Sequence, residues 1–355
     1  MKVLLISHLA PPAGGIATWT RRVLEKGLGK WDIVHINLNT INGRDPFKNP
    51  KRNIKDELIR SFRVWKQEIH SLKNKHDIKV VHTNIPCTVY GMLREMITGS
   101  IAKFYNKKFI VHCHCTVPNV VNSWWKKILF RVLSKLCDGF IVLNKKSADF
   151  AKQNSKVHVV LIPNFVTREE LTGSCEKLIS KEVKNVIYVG GVTAEKGCDT
   201  IIEAAKRLPQ MTFHLVGIIS KEIEVMERSD NVILYGDCEK DKVKEKLSES
   251  DVFLFLSHYW GEGFSCALTE AMAAGLPCVV TDWAANADMI ENKGGLVIPK
   301  QNAVALVDVL NKLDGDKNGR EFHSKWNVNK VVNHYMDDVV LNQYTDFYDE
   351  LVSNG

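Results

Sequence analysis

The sequence has no long apolar run. None approaches the roughly 20 residues that a membrane-spanning helix needs, and the run after Lys2 is too short for the core of a signal peptide. We therefore expect a cytoplasmic protein without a membrane-spanning segment. Of the 355 residues, 45% are hydrophobic and 25% are charged, which excludes a disordered, collagen-like or coiled-coil chain and leaves enough apolar side chains for two cores. Internal repeats and low-complexity tracts are also absent.

Paired cysteines are missing as well. The sequence has an odd number of cysteines with no Cys-x-x-Cys spacing, which predicts reduced and mostly buried thiols. They are Cys87, Cys113, Cys115, Cys137, Cys175, Cys198, Cys238, Cys266 and Cys278. The motif His112-Cys113-His114-Cys115 could suggest a metal site, but alternation along a strand would place the histidines on one face and the cysteines on the other. We therefore predict no metal site there.

Acidic residues are scarce in the first half of the chain. Residues 1–150 carry 26 Lys/Arg against 10 Asp/Glu, a formal charge of +16, whereas residues 151–355 carry 22 against 31, a charge of −9. The net charge of +7 therefore combines two differently charged halves. The basic half indicates a polyanionic partner: nucleic acid, anionic lipid or a phosphorylated substrate.

Short apolar runs alternate with amphipathic stretches, the pattern of parallel sheets covered by helices. Strands are predicted at 2–7, 33–38, 79–83, 109–112 and 139–143, and in a second series at 186–189, 212–216, 231–235, 252–256 and 277–281. Helices are predicted at 18–28, 56–71, 90–104 and 122–136. The fold class is therefore α/β, with two doubly wound, Rossmann-like domains. Residues 161–165 contain Pro163 and predict the connection between them, and residues 39–55 predict a basic loop.

Each series opens with glycines after its first strand. Gly14-Gly15 in the first loop would let backbone approach a phosphate, although the pattern is not Gly-x-Gly-x-x-Gly and is equally typical of a plain turn. Gly190-Gly191 opens the second series, and Thr200 with Glu203 predicts a capping box at the start of the next helix. Lys196 lies just before that start, where a cation requires a neighbouring anion. Either a phosphate ligand or an exposed lysine would fit.

The most specific motif is the segment 262–277, which reads EGFSCALTEAMAAGLP. It follows the predicted strand 252–256, so Glu262 falls in the loop at the carboxyl end of that strand. Glu270 falls in the helix that Gly275 and Pro277 terminate. Two carboxylates near a helix N-terminus could hold the hydroxyls of a ribose or another sugar, or they could be two surface glutamates that favour the helix dipole.

This segment resembles the signature of retaining glycosyltransferases of family 4, which have the GT-B architecture. The block from Val189-Gly190 to Lys196-Gly197 is similar to the family's phosphate-binding segment, and Pro163-Asn164 to the end of its first domain. The resemblance spans nearly the whole chain. It implies two domains that face each other across a cleft: residues 1–165 for the acceptor and 166–334 for the nucleotide sugar. A C-terminal helix at about 335–355, within the helical pattern of 328–352, would pack back on the first domain.

The resemblance also implies roles for individual residues. The catalytic residues would be His114, Glu262 and Lys196, and the donor-binding residues Gly14, Gly15, Gly190, Gly191, Lys196, Glu262, Gly263, Phe264, Ser265 and Glu270. His112, His82 and Asn84 would lie on the acceptor side, with His112 an alternative to His114 as the active-site histidine. Glu270 would bind ribose and Lys196 the diphosphate. The chain departs from the family at Gly191, where an arginine is usual, and this removes a bidentate phosphate donor. Phe165 and Thr167 also depart from the usual Gly and Asp.

The implied reaction is hexosyl transfer from a UDP- or GDP-sugar with retention at the anomeric carbon, in which the leaving phosphate helps to take the acceptor proton. No cofactor and no catalytic metal are expected. Asp314-Gly315-Asp316 matches the Asp-x-Asp of metal-dependent transferases, but we interpret it as a loop after a helix. The implied partners are the nucleotide sugar and a lipid-linked or surface-glycan acceptor, as in polysaccharide, glycolipid or lipopolysaccharide biosynthesis.

A membrane surface is a further predicted partner. Trp124, Trp125, Lys126, Lys127 and Arg131 belong to a segment that places tryptophans and aliphatic residues on one helical face and cations on another, as in an interfacial helix. An amphipathic helix packed on a sheet has the same pattern. With the +16 half, it predicts a cytoplasmic protein held at the inner face of the cytoplasmic membrane.

Three other functions are open at this stage. An epimerase or a glycogen-type synthase would share the architecture, although the two-glutamate segment disfavours the former and the modest length the latter. A nucleic-acid-binding protein would account for the basic half, but no recognition motif supports it, and we expect no nucleic acid partner.

Overall fold

The computed structural model describes residues 1–11, 14–39, 54–171 and 177–353. The chain divides into two compact units, residues 1–164 with 337–355 and residues 165–336. Cys175 and all but the ends of the predicted basic loop at 39–55 lie outside the described residues.

The first unit is built on a parallel six-stranded sheet in the order β2-β1-β3-β4-β5-β6. Its strands are β1 (Lys2–Ser7), β2 (Asp32–Asn37), β3 (Ile78–Ile85), β4 (Lys108–Cys113), β5 (Gly139–Val142) and β6 (His158–Leu161). Both alternating sets of side chains are buried along the central strands β1, β3, β4 and β5. This burial explains why these strands read as continuous apolar runs rather than as alternating ones.

The connecting helices of this unit are α1 (Gly15–Lys26), α2 (Ile54–Asn74), α3 (Val89–Phe104), α4 (Val117–Val120), α5 (Trp124–Ser134) and α6 (Lys145–Asn154). Side-chain caps mark two of their starts: Thr88 accepts from the backbone N–H of Gly91 and Asn144 from that of Ser147. The inner faces of α2, α3 and α5 pack into one core with the sheet, through Val64, Met92 and Phe130. The predicted helix at 122–136 begins at Trp124.

The second unit has a second six-stranded sheet in the order β12-β11-β10-β7-β8-β9, again with parallel pairing. Its strands are β7 (Asn185–Val189), β8 (Thr212–Val216), β9 (Val232–Gly236), β10 (Val252–Phe255), β11 (Cys278–Thr281) and β12 (Gly295–Ile298). Its α-helices are α7 (Cys198–Ala205), α8 (Lys221–Glu224), α9 (Lys240–Glu249), α10 (Cys266–Ala273), α11 (Asn286–Ile290), α12 (Ala303–Gly315) and α13 (Lys317–His334). Short 3-10 helices cover Arg168–Glu170 and Ala194–Lys196. This strand order is that of a Rossmann fold, so the prediction of two doubly wound units is confirmed.

The last helix, α14 (Asp337–Ser353), belongs to the first unit. It packs against β3, and its acids pair with that unit's lysines: Lys26 Nζ lies 3.3 Å from Asp337 and Lys30 Nζ 2.7 Å from Asp349. With α14 included, the first unit carries 28 Lys/Arg and 15 Asp/Glu, a formal charge of +13, and the second carries 20 and 26, a charge of −6. The charge contrast between the halves therefore persists between the folded units.

Each predicted strand overlaps an observed one, but two strands were missed. Both are four residues long and lie at a sheet edge: β6 (His158–Leu161) and β12 (Gly295–Ile298). In β12 the first residue is a glycine with φ of +155°, and a Cβ there would lie 1.8 Å from the carbonyl oxygen of Cys278. A short edge strand that opens on a glycine lacks the composition by which strands are predicted.

Two further predictions are wrong in detail. The helical pattern of 328–352 is two helices that break at Tyr335-Met336, where Val166 donates its backbone N–H to the Tyr335 carbonyl. Asp314-Gly315-Asp316 is not a free loop but the junction of α12 and α13. Asp314 accepts from the Val183 backbone, and Asp316 caps α13 by accepting from Gly319. Both carboxylates thus have structural partners.

The strand orders define one topological switch point in each sheet. In the first sheet the order reverses between β1 and β3, and in the second between β7 and β10. Ligands of doubly wound sheets bind outside the carboxyl ends of the strands at such a point. The loops after β1, β3, β7 and β10 are therefore the places to look for functional side chains.

Candidate active site

The loops after β7 and β10 are joined by an ion pair in the second unit. Lys196 ends the 3-10 helix Ala194–Lys196 after β7 and forms a hydrogen-bonded ion pair with Glu262, which follows β10. Only 9% of Glu262 is exposed, and its Oε1 also accepts a hydrogen bond of 3.0 Å from Ser257 Oγ. Lys196 Nζ lies 4.7 Å from the centroid of the Tyr259 ring. A lysine and a glutamate predicted for the site are thus brought together at the switch point.

The sequence predicted an anion beside Lys196. In this structure that anion is the Glu262 carboxylate. The predicted capping box at Thr200 and Glu203 is wrong, because α7 already begins at Cys198 with Gly197 as its N-cap. A capping box does occur in the segment that opens the second unit, where Thr167 and Glu170 bond each other's backbone. The helix start was misplaced because a residue in the left-handed conformation ends the 3-10 turn three residues before Thr200.

Gly197 is required by both its conformation and its surroundings. Its φ is +81°, in the region that favours glycine, and a Cβ added to it would lie 2.5 Å from the backbone oxygen of Leu256 at the end of β10. The turn after β7 is thereby packed directly against the strand that leads to Glu262. This close approach fixes where Lys196 enters the site.

The segment from Gly263 to Glu270 forms the start of α10. Ser265 caps the helix by accepting from the Leu268 backbone N–H at 3.1 Å, so its side chain has a structural role at the N-terminus. Glu270 lies in the helix, five positions after that cap, and is half-buried. Phe264 packs edge-on against Tyr335, with ring centroids 5.2 Å apart. The loop and helix that the sequence predicted for Glu262 and Glu270 are both present.

In the first unit, Gly14 and Gly15 begin α1. Gly14 is the N-cap in an extended conformation, and a Cβ at either glycine would meet no heavy atom within 4 Å. Behind them, Ser7 Oγ at the end of β1 lies 2.5 Å from Thr20 Oγ1 and accepts from Asn84 Nδ2 at 2.7 Å. The glycines therefore leave open space beside the helix start.

Three histidines of the first unit form a buried stack. His82 lies in β3, His112 in β4 and His114 just after it; the ring centroids of His82 and His112 are 5.4 Å apart and those of His112 and His114 3.9 Å. Burial lowers the pKa of His82 and of His114 to about 3 each, partly offset at His82 by Asn84, so both rings are neutral at pH 7. Burial, and then the neighbouring His114 and His82, also lower the pKa of His112 well below its usual value. The three predicted acceptor-side residues, His82, Asn84 and His112, thus lie in the same unit as His114, and the three histidines lie together.

The side chains around the stack were missed by the sequence reasoning. The Trp19 indole contacts all three imidazoles, with centroid distances of 5.1–5.6 Å, and its Nε1–H donates to Tyr344 Oη at 3.1 Å. Tyr348 Oη lies 2.5 Å from His82 Nδ1. The sequence signal was the tyrosine pair at i and i+4 on the last helix, which indicated a packed face but not its partner.

The cysteines of the same motif lie on the other face of the sheet. Cys113 and Cys115 are wholly buried in the apolar core, where they interact with Cys87. Hydrogen bonding among these thiols, together with burial, raises the pKa of Cys87 and Cys113. Alternation along β4 therefore separates the histidines from the cysteines, as predicted. Among the described residues, no group of three His, Cys, Asp or Glu side chains is arranged to hold a metal ion.

The predicted membrane helix α5 has two apolar faces. Phe130 and Leu133 are buried in the core, whereas Trp124 is 74% exposed and Trp125, Ile128 and Val132 are also exposed. One face of the helix therefore packs on the unit, and the other is presented outward. The membrane interpretation of the outward face stays a prediction. Within the described ranges, no helix combines the length and hydropathy that crossing a bilayer requires.

Comparison with known proteins connects these features to sugar transfer. Residues 175–329 match the family described as glycosyl transferases group 1. The chain is 31% identical over 143 residues to the amylovoran biosynthesis glycosyltransferase AmsK of Erwinia amylovora, which covers 36% of this chain and 35% of AmsK. It is 25% identical over 218 residues to an Escherichia coli UDP-Gal:alpha-D-GlcNAc-diphosphoundecaprenol alpha-1,3-galactosyltransferase, covering 55% of each chain. The alignments therefore span about a third to a half of these relatives.

The matches to solved structures cover the whole chain. The sucrose-phosphate synthase of Thermosynechococcus elongatus has a TM-score of 0.78 at 17% identity, and Anabaena HepE in complex with UDP has 0.73 at 14%, each with complete coverage of both chains. At such identities these likenesses show the fold alone, which is the GT-B glycosyltransferase fold. The family match and the relatives together support a glycosyltransferase.

Proposed function

We propose that the chain is a retaining, metal-independent glycosyltransferase of family 4. It transfers a hexosyl group from a UDP- or GDP-sugar to a lipid-linked or surface-glycan acceptor in polysaccharide or glycolipid biosynthesis. The observation that carries this proposal is the Lys196–Glu262 ion pair at the β7/β10 switch point, in the segment that matches the glycosyltransferase family. AmsK, named for amylovoran biosynthesis, supports the polysaccharide context.

In this proposal the second unit binds the donor. Lys196 supplies positive charge to the diphosphate, and the Gly190-Gly191 turn lets the backbone approach it. Glu262 and the backbone at Phe264 and Ser265 hold the transferred sugar, and Glu270 accepts hydrogen bonds from the ribose hydroxyls. The half-buried ion pair orients Lys196 before the donor arrives, so little reorganisation is needed when the diphosphate binds. Lys196 also supplies positive charge in place of the arginine that the family usually has where this chain has Gly191.

Transfer with retention breaks the bond between the anomeric carbon and the donor's phosphate oxygen. The acceptor hydroxyl oxygen bonds to the same face of that carbon, and its proton passes to the phosphate oxygen that departs. The nucleoside diphosphate therefore leaves with the proton, and no charge or atom is left over. Lys196 stabilises the negative charge that grows on the leaving group, which is where a preorganised cation lowers the barrier most.

The test is a thermal-shift panel with UDP-glucose, UDP-galactose, UDP-N-acetylglucosamine and GDP-mannose. Binding to the native state alone raises the melting temperature, so we expect one nucleotide class to do so in the wild type. In Glu270→Ala the shift should nearly vanish, because the ribose hydroxyls lose their acceptor. Glu203→Ala, which removes a half-buried glutamate of α7 whose carboxylate lies 3.3 Å from Lys206, is the matched control and should keep the shift. No shift with any of the four compounds in the wild type would refute donor binding.

We further propose that the first unit attaches to the inner face of the cytoplasmic membrane. The predicted helix α5 is one part of a wider surface, which we call the outer helical face. It consists of the exposed apolar residues of α2, α3 and α5, which pack side by side. Its members are Ile54, Leu58, Ile59, Phe62, Ile69, Leu93, Ile97, Phe104, Trp124, Trp125, Ile128 and Val132.

The charge on the outer helical face fits an anionic bilayer. Lys55, Lys66, Lys73, Lys127 and Arg131 are exposed on these helices. By contrast, Glu57, Glu68 and Glu95 are buried and Asp56 is half-buried, so no acidic side chain described on α2, α3 or α5 is fully exposed. Apolar and aromatic side chains mixed with cations, without exposed acids, are the composition of an interfacial membrane surface. An acceptor linked to a lipid would be presented at that surface.

Co-sedimentation with phosphatidylglycerol vesicles tests the attachment. We expect binding at low salt that weakens with salt, and at least tenfold weaker binding by Phe62→Ser combined with Trp124→Ser and Ile128→Ser. Val225→Ser, which replaces the most comparable exposed aliphatic residue of the second unit, should bind as the wild type does. Failure of the wild type to sediment with the vesicles at low salt would contradict the attachment.

A further inference from the structure

The histidine stack contains polar atoms that nothing in the described part of the chain satisfies. Both ring nitrogens of His112 and Nε2 of His114 have no hydrogen-bond partner, although His112 is wholly buried and His114 is only 8% exposed. An unsatisfied buried polar atom destabilises the fold, so several at one place call for a ligand or a functional reason. They lie at the carboxyl end of β4, next to the β1/β3 switch point, where ligands bind.

The chemistry of these atoms specifies the ligand class. A neutral imidazole offers one N–H donor and one lone pair, which matches a hydroxyl group that both donates and accepts. A phosphate or carboxylate suits the stack less well, because deeply buried neutral rings offer an anion no positive charge. The stack is therefore suited to the uncharged hydroxyls of a sugar.

The orientation of the stack is set from the last helix. Burial raises the pKa of Tyr348 well above its usual value, so its hydroxyl keeps its proton and can donate to His82 Nδ1. When the Tyr348 hydroxyl donates in this contact, the His82 proton lies on Nε2. Tyr344 stacks on His82 at a centroid distance of 6.2 Å and accepts from Trp19, whose ring lies against His112 and His114.

We propose that Trp19, Tyr344 and Tyr348 are positioning residues that orient His112 and His114 to bind a hydroxyl of the sugar acceptor. This inference rests on the proposed function. It makes α14 part of the acceptor site, although the helix lies more than 200 residues along the chain from the strands it serves: Tyr348 and His82 are 266 positions apart. None of the three positioning residues needs to touch the acceptor.

The test uses Tyr348→Phe, which removes only the hydroxyl. The tautomer of His82 is measured from the 15N shifts of its ring nitrogens, assigned by comparison with His82→Asn. We expect a single Nε2–H tautomer in the wild type and a mixture in Tyr348→Phe. Tyr90→Phe is the matched control, because Tyr90 also donates its hydroxyl to a partner inside this unit, the Glu57 carbonyl between α2 and α3. A wild-type tautomer in Tyr348→Phe would overturn the proposal.

Transfer kinetics provide the second measurement, with alpha-D-GlcNAc-diphosphoundecaprenol as the acceptor probe. Tyr348→Phe should raise the KM for this acceptor about tenfold, the effect of one lost hydrogen bond at the site, with kcat changed much less and the donor's thermal shift unchanged. A KM equal to that of Tyr90→Phe would overturn the positioning role.

A third measurement separates this proposal from the proposed function. Methyl α-D-glucoside is added to the 15N-labelled wild type, and the ring nitrogens of His112 and His114 are followed. We expect them to shift while half-buried His323 on α13 does not. If neither ring responds, the hydroxyl site is refuted whether or not the chain transfers sugar. If they respond but no nucleotide sugar raises the melting temperature, the site stands and the donor assignment fails.

Discussion

The polar side chains at the two switch points of this protein differ in charge. At the β7/β10 edge a lysine and a glutamate neutralise each other, and Ser257 satisfies the carboxylate further. At the edge beside β3 and β4, three histidines remain uncharged, and several of their nitrogens lack partners in the described chain. A charged pair suits a diphosphate leaving group, and neutral imidazoles suit hydroxyls. The comparison shows that doubly wound parallel sheets support two kinds of polar site, depending on the side chains at the strand ends.

The largest expected effect comes from removing the charge. Lys196→Ala should lower kcat for sugar transfer by about 10²–10³, because the growing charge on the diphosphate loses its preorganised cation. His114→Ala should lower kcat/KM about tenfold, mainly through a higher KM for the acceptor, because an uncharged hydrogen bond is lost. Steady-state kinetics with the donor found by thermal shift measure both. Similar losses in kcat for the two variants would erase the distinction between a charged site and a neutral one.

The second effect concerns the backbone beside each site. Gly197→Ala should lower the free energy of unfolding of the second unit by roughly 3 kcal/mol, because it combines a left-handed φ with a clash against Leu256. Gly236→Ala is the matched control, since its φ of +72° is similar but no heavy atom lies within 4 Å, and it should cost about 1 kcal/mol.

Gly15→Ala should change the stability by no more than about 0.5 kcal/mol, because it begins α1 in open space. Urea denaturation followed by tryptophan fluorescence measures all three variants. Equal losses of unfolding free energy in Gly197→Ala and Gly236→Ala would show that the contact with Leu256 adds nothing to the cost of the substitution.

The third effect is a pH dependence of opposite sign at two places in the first unit. Burial and Glu95 raise the pKa of Glu68 to about 9 from 4.5, so the folded state holds a proton that the unfolded state releases. Its contribution to stability is therefore lost as the pH rises from about 4.5 through 9. The histidines behave the other way, because the folded pKa of His82 and His114, about 3, lies below the ordinary 6.5. Their contribution is lost as the pH falls below 6.5.

Glu68→Gln isolates the contribution of Glu68 to the pH dependence of stability. The substitution keeps the shape and removes the ionisation, so at pH 8.5 it should stabilise the protein by about 1–2 kcal/mol relative to the wild type. At pH 5 the difference should shrink, because this pH is close to the ordinary pKa of 4.5 and the carboxyl gains little by ionising in the unfolded state. Thermal melts of both proteins across this range measure the difference. A difference that does not change with pH would mean that Glu68 is ionised in the folded protein.

Much of the architecture could be predicted because local patterns encode it. The buried strands read as apolar runs, and the loops that carry Glu262 and Lys196 follow them directly, so both residues could be placed at strand ends. The start of α7 could not be predicted in the same way. Its position depends on the packing of Gly197 on Leu256, which joins the turn after β7 to the end of β10. The capping-box pattern at Thr200 involves neighbouring residues only, so it does not reveal that contact. The edge strands β6 and β12 were missed because each is only four residues long and pairs on one side only.

The sequence by itself determined the order of strands and helices, the unequal charge of the two halves and the residue types that stand at the strand ends. These properties follow from composition and periodicity within short windows. Only the tertiary structure decided that Lys196 meets Glu262, 66 positions away, and that Tyr348 orients His82. It also decided that α5 buries one apolar face and exposes another. Such contacts depend on which strands become neighbours and which helix closes over them, and the parallel strand order sets this over distances that no local pattern spans.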